Sequence, residues 1–136
     1  MVDTLGLVLI VQVQPANLQD RDGAKQVLAP LATKHWRLKK IWADGGYRGT
    51  LSDWLFSLRC GRGRHRVRLE IVEKSPDGRF AVLPKRWIVE RTFAWLGRSR
   101  RLSKDYEALC ETTQTLIFIA MIQLMIRRLA RKRPTF

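Results

Sequence analysis

The sequence is poor in the residues that build several common kinds of active site. It has only two cysteines, two histidines and 12 acidic residues among 136. Neither histidine has a partner at metal-ligand spacing, and no Walker loop, Cys/His zinc cluster or serine-nucleophile motif occurs. These absences exclude the usual P-loop, zinc-module and serine-hydrolase chemistries. Cys60 and Cys110 are the only two cysteines and lie far apart in a basic, intracellular-looking sequence, so we expect both to be reduced core residues.

Long apolar runs are scarce as well. Residues 116–126 are apolar over eleven positions, which is short for a membrane span and typical of a buried core helix. The apolar residues 5–13 follow no basic segment, so they do not predict a secretory signal. We therefore expect a cytoplasmic protein that does not enter the membrane.

Positive charge is what the sequence has in excess. Lysine and arginine number 26, and the net charge is +14. Residues 1–60 carry 8 cations and 5 anions, whereas residues 61–136 carry 18 and 7. Arginine outnumbers lysine, and the paired N–H donors of its planar guanidinium group match the oxygens of a phosphate. A nucleic acid is the expected partner; the alternatives are a solvated basic surface and a ribosomal-type RNA binder.

Hydrophobic periodicity predicts seven elements in the order β-α-β-α-β-α-α. They are a strand at 5–13, a helix from Asn17 or Asp20 to 34, a strand at 38–43, a helix at 50–58, an alternating strand at 64–72, a helix after a turn at 75–78 and Pro84, and a last helix at 107–131. Strands that alternate with helices are typical of an α/β domain with a largely parallel sheet. No repeat or long linker divides the chain, so we expect one domain over residues 1–136.

Asp44 is the first candidate for a chemical role. It ends the buried strand predicted at 38–43 and is followed at once by Gly45 and Gly46. Ligands of open α/β sheets bind beyond the carboxyl ends of the strands, and the glycines leave room for close approach. The alternative is that Asp44 only caps the glycine turn, and the spacing alone does not choose between the two.

Glu90 is the second candidate, because it is a lone carboxylate in a strongly basic helix. At about 100° per residue, one arc of roughly 160° holds the apolar side chains: Ile88, Val89, Phe93, Trp95 and Leu96. Glu90 falls outside this arc, between arginines and beside the small residues Ala94 and Gly97. Such a surface would admit a nucleic-acid backbone, and a carboxylate there would hold a divalent metal ion. The alternative is an ordinary ion pair between Arg86 and Glu90.

These segments together resemble the C-terminal part of bacterial insertion-sequence transposases of the DDE class, in the four/five-type superfamily. The resemblance is carried by residues 2–7, 15–24, 43–49, 83–96 and 100–107. Arg86 and Glu90 match the family signature Tyr-x2-Arg-x3-Glu-x6-Lys. Leu83 and Gly97 stand at its Tyr and Lys positions, with Arg98 next to the latter, which puts the lysine role in doubt.

The resemblance implies a ribonuclease-H-like fold with an Asp-Asp-Glu triad that binds two Mg²⁺ ions, or Mn²⁺ in their place. It implies an enzyme that cleaves a DNA strand at the element's end and joins the freed 3′-hydroxyl to target DNA. By position, Asp44 matches the second Asp and Glu90 the Glu, so both would be catalytic metal ligands. We expect DNA contacts from the surrounding basic and aromatic residues, which are Arg48, Arg86, Trp87, Arg91, Arg98, Arg100 and Arg101.

The family's first catalytic Asp precedes the segment with which this sequence begins, and Asp3 follows it in the family pattern, so Asp3 is given no catalytic role. The strand that carries the first Asp would lie between those predicted at 5–13 and 38–43. We therefore expect residues 1–136 to form the C-terminal part of a DDE catalytic domain whose first, central strand is missing. Alone it would be inactive, or would need a segment from an upstream reading frame.

On DNA we expect a dimer, and in the cell a cytoplasmic, nucleoid-associated protein. The alternative function is a non-enzymatic basic DNA-binding protein or a decayed transposase remnant.

Overall fold

The computed structural model describes residues 1–18, 20–30, 34–35, 37–60, 65–72 and 85–131. The chain forms two units: the sheet unit, residues 14–86, and the helical unit, residues 1–13 with 87–136. The helices are α1 (Asp20–Leu28), α2 (Thr50–Ser57), α3 (Arg86–Leu96) and α4 (Cys110–Ala130), and the strands are β1 (Lys40–Asp44), β2 (Arg59–Cys60), β3 (His65–Arg66) and β4 (Arg68–Val72). The turn predicted at 75–78 and Pro84 lie outside the described residues.

The sheet unit is organised around one parallel pair of strands. β1 pairs with β4, so that Trp42 lies opposite Glu70 and Asp44 opposite Val72. Parallel strands need a crossover, and α2 lies within the segment that connects these two. Leu51 and Leu55 of α2 are buried, which gives the unit its small apolar core. The strand predicted at 38–43, the helix predicted at 50–58 and the parallel pairing are confirmed.

Two other predicted elements of the sheet unit have different limits. The strand predicted at 64–72 is interrupted at Val67: β3 pairs antiparallel with β2, and β4 pairs with β1. Val67 is fully buried, and it anchors the point where the chain changes partner. Helix α1 ends at Leu28 and not near residue 34, because Pro30 follows and disfavours helical geometry just before it.

The strand predicted at 5–13 is wrong. The only β pairing there among the described residues is an isolated bridge between Val2 and Val8. Asp3 accepts hydrogen bonds through Oδ1 from the backbone N–H groups of Leu5 and Leu7, each at 2.8 Å. Asp side chains that bind nearby backbone groups compete with strand formation, and Gly6 completes the turn with a φ of +80°.

A buried hydroxyl fixes the orientation of α3 in the helical unit. Thr92 is 3% exposed, and its Oγ1 lies 2.8 Å from the Gly6 carbonyl oxygen and 2.9 Å from that of Ile88. A Cβ on Gly6 would lie 3.0 Å from Thr92 Oγ1 and from the Trp95 ring. The backbone at Gly6 therefore approaches α3 as closely as glycine allows.

This orientation corrects the predicted core face of α3. Val89 is 42% exposed and Phe93 67% exposed, whereas Ile88, Trp95 and Leu96 are half-buried. The buried arc is therefore rotated by roughly 60° from the predicted one, at about 100° per residue. Apolar character alone placed Val89 and Phe93 inside, but the Thr92 hydrogen bond decides which side faces inward.

Helix α4 confirms the last predicted helix, although it begins at Cys110 and not near residue 107. Its predicted burial is wrong. Met121 is buried and Cys110 is a half-buried free thiol, but a stripe of large apolar side chains faces outward: Phe118, Ile119, Ile122, Met125, Ile126 and Leu129. By length and composition alone, α4 is long and apolar enough to cross a membrane. One such helix is weak evidence, so this finding does not place the protein in a membrane.

Replacing Thr92 by valine should destabilise the fold by about 1–2 kcal/mol, because the Gly6 carbonyl loses its partner in a buried place. Urea unfolding followed by circular dichroism measures this. Thr115→Val is the matched control, because the Thr115 hydroxyl bonds only within its own helix, to the Glu111 carbonyl, and is exposed. Equal losses in the two variants would contradict the role of the Gly6 contact.

Candidate functional site

Asp44 stands at the carboxyl end of β1 with its side chain exposed. Its Oδ1 accepts a hydrogen bond of 3.1 Å from Gly46 N–H and so caps the 3₁₀ turn Gly45–Tyr47. Its Oδ2 accepts no hydrogen bond from the residues that the structure describes. The capping interpretation is thus correct for one oxygen, and the other oxygen remains open to a ligand.

A cluster of cations surrounds Trp42, two residues before Asp44. Glu70 accepts hydrogen bonds from Lys40 Nζ at 2.7 Å and from Trp42 Nε1 at 3.0 Å. Lys85 Nζ lies 3.6 Å from the centre of the Trp42 ring. We call Lys40, Trp42, Glu70 and Lys85 the Trp42 cluster. Alternate residues of a strand share a face, so the cluster lies on the face of β1 to which Asp44 belongs.

No sequence pattern marks the Trp42 cluster in advance. Trp42 is half-buried, and two cations lie over its ring: Lys85 and, at 5.6 Å from the ring centre, Lys40. Glu70 has a partner only because the register of β1 and β4 places it opposite Trp42. The sequence of either strand alone does not determine the register between two strands that a helix separates.

The pKa of the Glu70 carboxyl is held below its ordinary value of 4.5, first by the hydrogen bond from Lys40 and then by that from Trp42. A carboxyl whose pKa is lower in the folded state adds stability above its unfolded pKa. This contribution is lost as the pH falls below 4.5 and through the depressed folded value.

As the pH falls below 4.5, the free energy of unfolding should therefore decrease less steeply in Glu70→Gln than in the wild-type protein. Chemical unfolding at a series of acidic pH values checks this. A Glu70→Gln profile parallel to that of wild type would refute the interpretation.

Glu90 lies on the exposed side of α3, as predicted, and the small residues Ala94 and Gly97 are exposed beside it. The same side also presents Val89 and Phe93, so it is more apolar than the sequence indicated. The side chain of Arg86 is outside the described part of the structure, and the proposed Arg86–Glu90 ion pair is therefore not tested.

The basic and aromatic residues around Glu90 fall into two groups. Arg91 is engaged within the fold, because its Nη2 donates to the Leu5 carbonyl at 3.0 Å and its guanidinium lies 4.3 Å from the ring centre of Trp87, a side chain 45% exposed. Arg101 forms an ion pair with Glu107. The remaining arginines of the predicted DNA-binding set with described side chains are exposed: Arg48, Arg98 and Arg100.

Whether Asp44 and Glu90 could hold metal ions depends on which metal-binding side chains lie together. Carboxylate oxygens are the ligands that Mg²⁺ prefers, and both Asp44 and Glu90 are exposed. Among the described residues, however, no three of His, Cys, Asp and Glu form a group that could hold a metal ion. Asp44 belongs to the sheet unit and Glu90 to the helical unit. The described residues therefore fit Mg²⁺ in their chemistry but do not make up a complete metal centre.

Comparison with known families identifies the chain. The family model of the transposase DDE domain matches residues 1–125. The chain belongs to this family. The match includes both Asp44 and Glu90 and confirms the resemblance found in the sequence, and the mixed α/β structure with its parallel pair is compatible with a transposase DDE domain. No curated protein and no solved structure matches the chain.

Membership of the transposase DDE family sets the general function. It implies transposition with DNA as the partner, and domains of this family generally use a divalent metal ion.

Proposed function

We propose that Asp44 and Glu90 are the second Asp and the Glu of a DDE catalytic core with ribonuclease-H-like topology, which cleaves and joins DNA at insertion-sequence ends. The observation that carries the proposal is the place of Asp44. It is an exposed carboxylate at the end of a parallel strand with one oxygen uncommitted, within the family match. Ligand sites of α/β sheets lie at such strand ends.

The two carboxylates would hold Mg²⁺, or Mn²⁺ in its place. When bound, paired metal ions activate the attacking oxygen of phosphodiester chemistry and stabilise the leaving one. The protein's own part is to bring the phosphate close to the carboxylates. Arg48, Arg98 and Arg100 are exposed cations for this purpose, and Arg86 and Trp87 precede Glu90 on the same helix. Arg91 would act mainly by holding the Trp87 and Trp95 rings.

A two-metal centre usually needs a third carboxylate, and the described residues offer no group of three metal-binding side chains. We propose that a partner segment, such as the product of an upstream reading frame, brings it. The reaction joins two ends of an element, so two copies would act together on DNA. The reaction takes place where the DNA is, in the nucleoid of the cytoplasm.

The test combines the 136-residue chain with a polypeptide that carries the family's first Asp and follows Mg²⁺-dependent cleavage of labelled element ends. Asp44→Asn and Glu90→Gln should each reduce cleavage by more than about 100-fold, because even residues behind metal ligands are worth 10- to 100-fold. Asp53→Asn and Glu111→Gln remove exposed carboxylates from first helical turns and should leave cleavage unchanged.

The chain without the partner segment should not cleave DNA. Cleavage by the 136 residues alone, abolished by Asp44→Ala, would show that no third carboxylate need come from outside. Cleavage by the combined proteins that survives Asp44→Asn and Glu90→Gln would refute the assignment of both residues.

A second candidate is a non-enzymatic protein that binds DNA through its charge of +14. The incomplete donor set of the described residues favours it. It predicts DNA binding that weakens steeply with salt, does not respond to Mg²⁺ and is unchanged by Asp44→Asn, together with no cleavage under any combination.

A further inference from the structure

A basic cavity lies in the helical unit and includes Trp95 and Arg98, which were described above. Its volume is about 560 Å³, within the range of ligand-binding pockets. It lies between the end of α3 and the end of α4, and four arginines surround an apolar floor that includes Trp95 and Leu124: Arg98, Arg127, Arg128 and Arg131. We call these residues the arginine cavity. No carboxylate lines it.

The guanidinium groups of the cavity have no acceptor among the described residues. Arg128 lies 4.4 Å from the centre of the Trp95 ring, an interaction that uses the face of the guanidinium and leaves its N–H edge available. Within the part of the chain that the structure describes, none of the four guanidinium groups donates a hydrogen bond or forms an ion pair. Arg91 and Arg101 differ, because they donate to the Leu5 carbonyl and to Glu107.

Helix stabilisation explains only part of this arrangement. Arg127 and Arg128 are in the last turn of α4, where cations interact favourably with the helix dipole. Arg98 follows α3, however, and Arg131 lies beyond the end of α4. Neither is needed for the dipole, and bringing four like charges to one cavity is unfavourable unless an anion joins them.

We propose that the arginine cavity is a binding site for the phosphodiester backbone of DNA, separate from Asp44 and Glu90. Guanidinium groups match phosphate oxygens with two parallel hydrogen bonds, and four of them line a cavity large enough for a backbone unit. The choice of DNA among phosphate ligands rests on the proposed function. Binding at this site needs no metal ion, so it can be measured independently of catalysis.

The geometry of α4 disfavours a lipid headgroup as the ligand. Leu124, Arg127, Arg128 and Arg131 follow one another at spacings of three, one and three residues, which makes a single stripe. At about 100° per residue, this stripe lies roughly 180° around the helix from the exposed apolar stripe that contains Ile122 and Leu129. A membrane that covered the apolar stripe would leave the arginines facing away from its headgroups.

The test measures binding of the full 136-residue chain to a fluorescent DNA duplex by anisotropy, in EDTA, over a range of salt concentrations. Arg127→Gln with Arg131→Gln should reduce the slope of log affinity against log salt by about 1.8, since each phosphate contact contributes about 0.9. The affinity should fall by more than about tenfold. The matched control, Lys39→Gln with Arg68→Gln, removes the same charge from two exposed residues of the sheet unit and should change both quantities far less.

A second pair separates guanidinium geometry from charge. Arg127→Lys with Arg131→Lys keeps the charge, so the salt slope should stay near that of wild type while the affinity falls several-fold, because an ammonium cannot form the two parallel bonds. This pair also provides the test if the glutamine pair fails to fold, which thermal unfolding would reveal.

Three results would overturn the proposal. The first is an equal loss of DNA affinity in the glutamine pair and in its control, and the second is wild-type DNA affinity in the lysine pair. The third is a glutamine pair that loses binding to phosphatidylserine vesicles but keeps its binding to DNA. Free inorganic phosphate should compete only weakly, and strong competition would assign the cavity to a small anion. Failure of the Mg²⁺-dependent cleavage test would count against the proposed function and would leave these binding results unaffected.

Discussion

The excess of cations over carboxylates is the constraint to which much of this structure responds. With 26 basic and 12 acidic side chains, most cations cannot have a carboxylate partner. Aromatic faces take several of them: Lys40 and Lys85 lie on Trp42, Arg91 between Trp87 and Trp95, Arg128 on Trp95 and Arg66 on Phe56. A ring holds a cation without neutralising it. The positive charge is therefore ordered and still available to an anionic partner.

The few carboxylates of the described residues differ in what they bind. Glu70 and Glu107 are committed to basic partners, and Asp3 and Asp105 bind neighbouring backbone or hydroxyl groups. Asp44 and Glu90 are exposed, and the family match includes both. In a protein that attracts a polyanion, an exposed carboxylate repels the partner unless a cation lies between them. This repulsion supports the proposal that Asp44 and Glu90 hold a metal ion, although Asp53 and Glu111 are exposed as well.

The elements that the sequence predicted correctly are those defined by local features. β1 is a short apolar run that ends in Asp44-Gly45-Gly46, and α2 follows the glycines directly, so turn chemistry fixed both. The errors came from hydrogen bonds of single polar side chains, one set local at Asp3 and one between residues 86 positions apart. Asp3 folds residues 3–7 into a turn, and the contact of Thr92 with Gly6 rotates α3 away from the face that apolarity indicated.

In the candidate site, too, local sequence identified some residues and contacts between distant residues produced the others. Asp44 and Glu90 could be selected from their neighbours in the chain, and Glu90 is exposed as predicted. The Trp42 cluster and the arginine cavity could not be foreseen, because Glu70 lies opposite Trp42 across the sheet, and Arg98 and Arg131 line one cavity from beyond the ends of different helices. Arginines near the end of a helix also have an ordinary explanation in the helix dipole, which gave no reason to assign them a ligand.

The helical unit is discontinuous in the chain, and this has a consequence for the order of folding during synthesis. In the sheet unit, Lys40 pairs with Arg68, 28 positions later, whereas Thr92 reaches Gly6 across 86 positions. Closing the longer loop costs about 1 kcal/mol more in chain entropy, and its partner segment is made later. Because chains fold from the N-terminus as they are made, residues 1–13 must wait for α3 while the sheet unit forms. We therefore expect the strand that carries Asp44 to form before the helix that carries Glu90 is anchored.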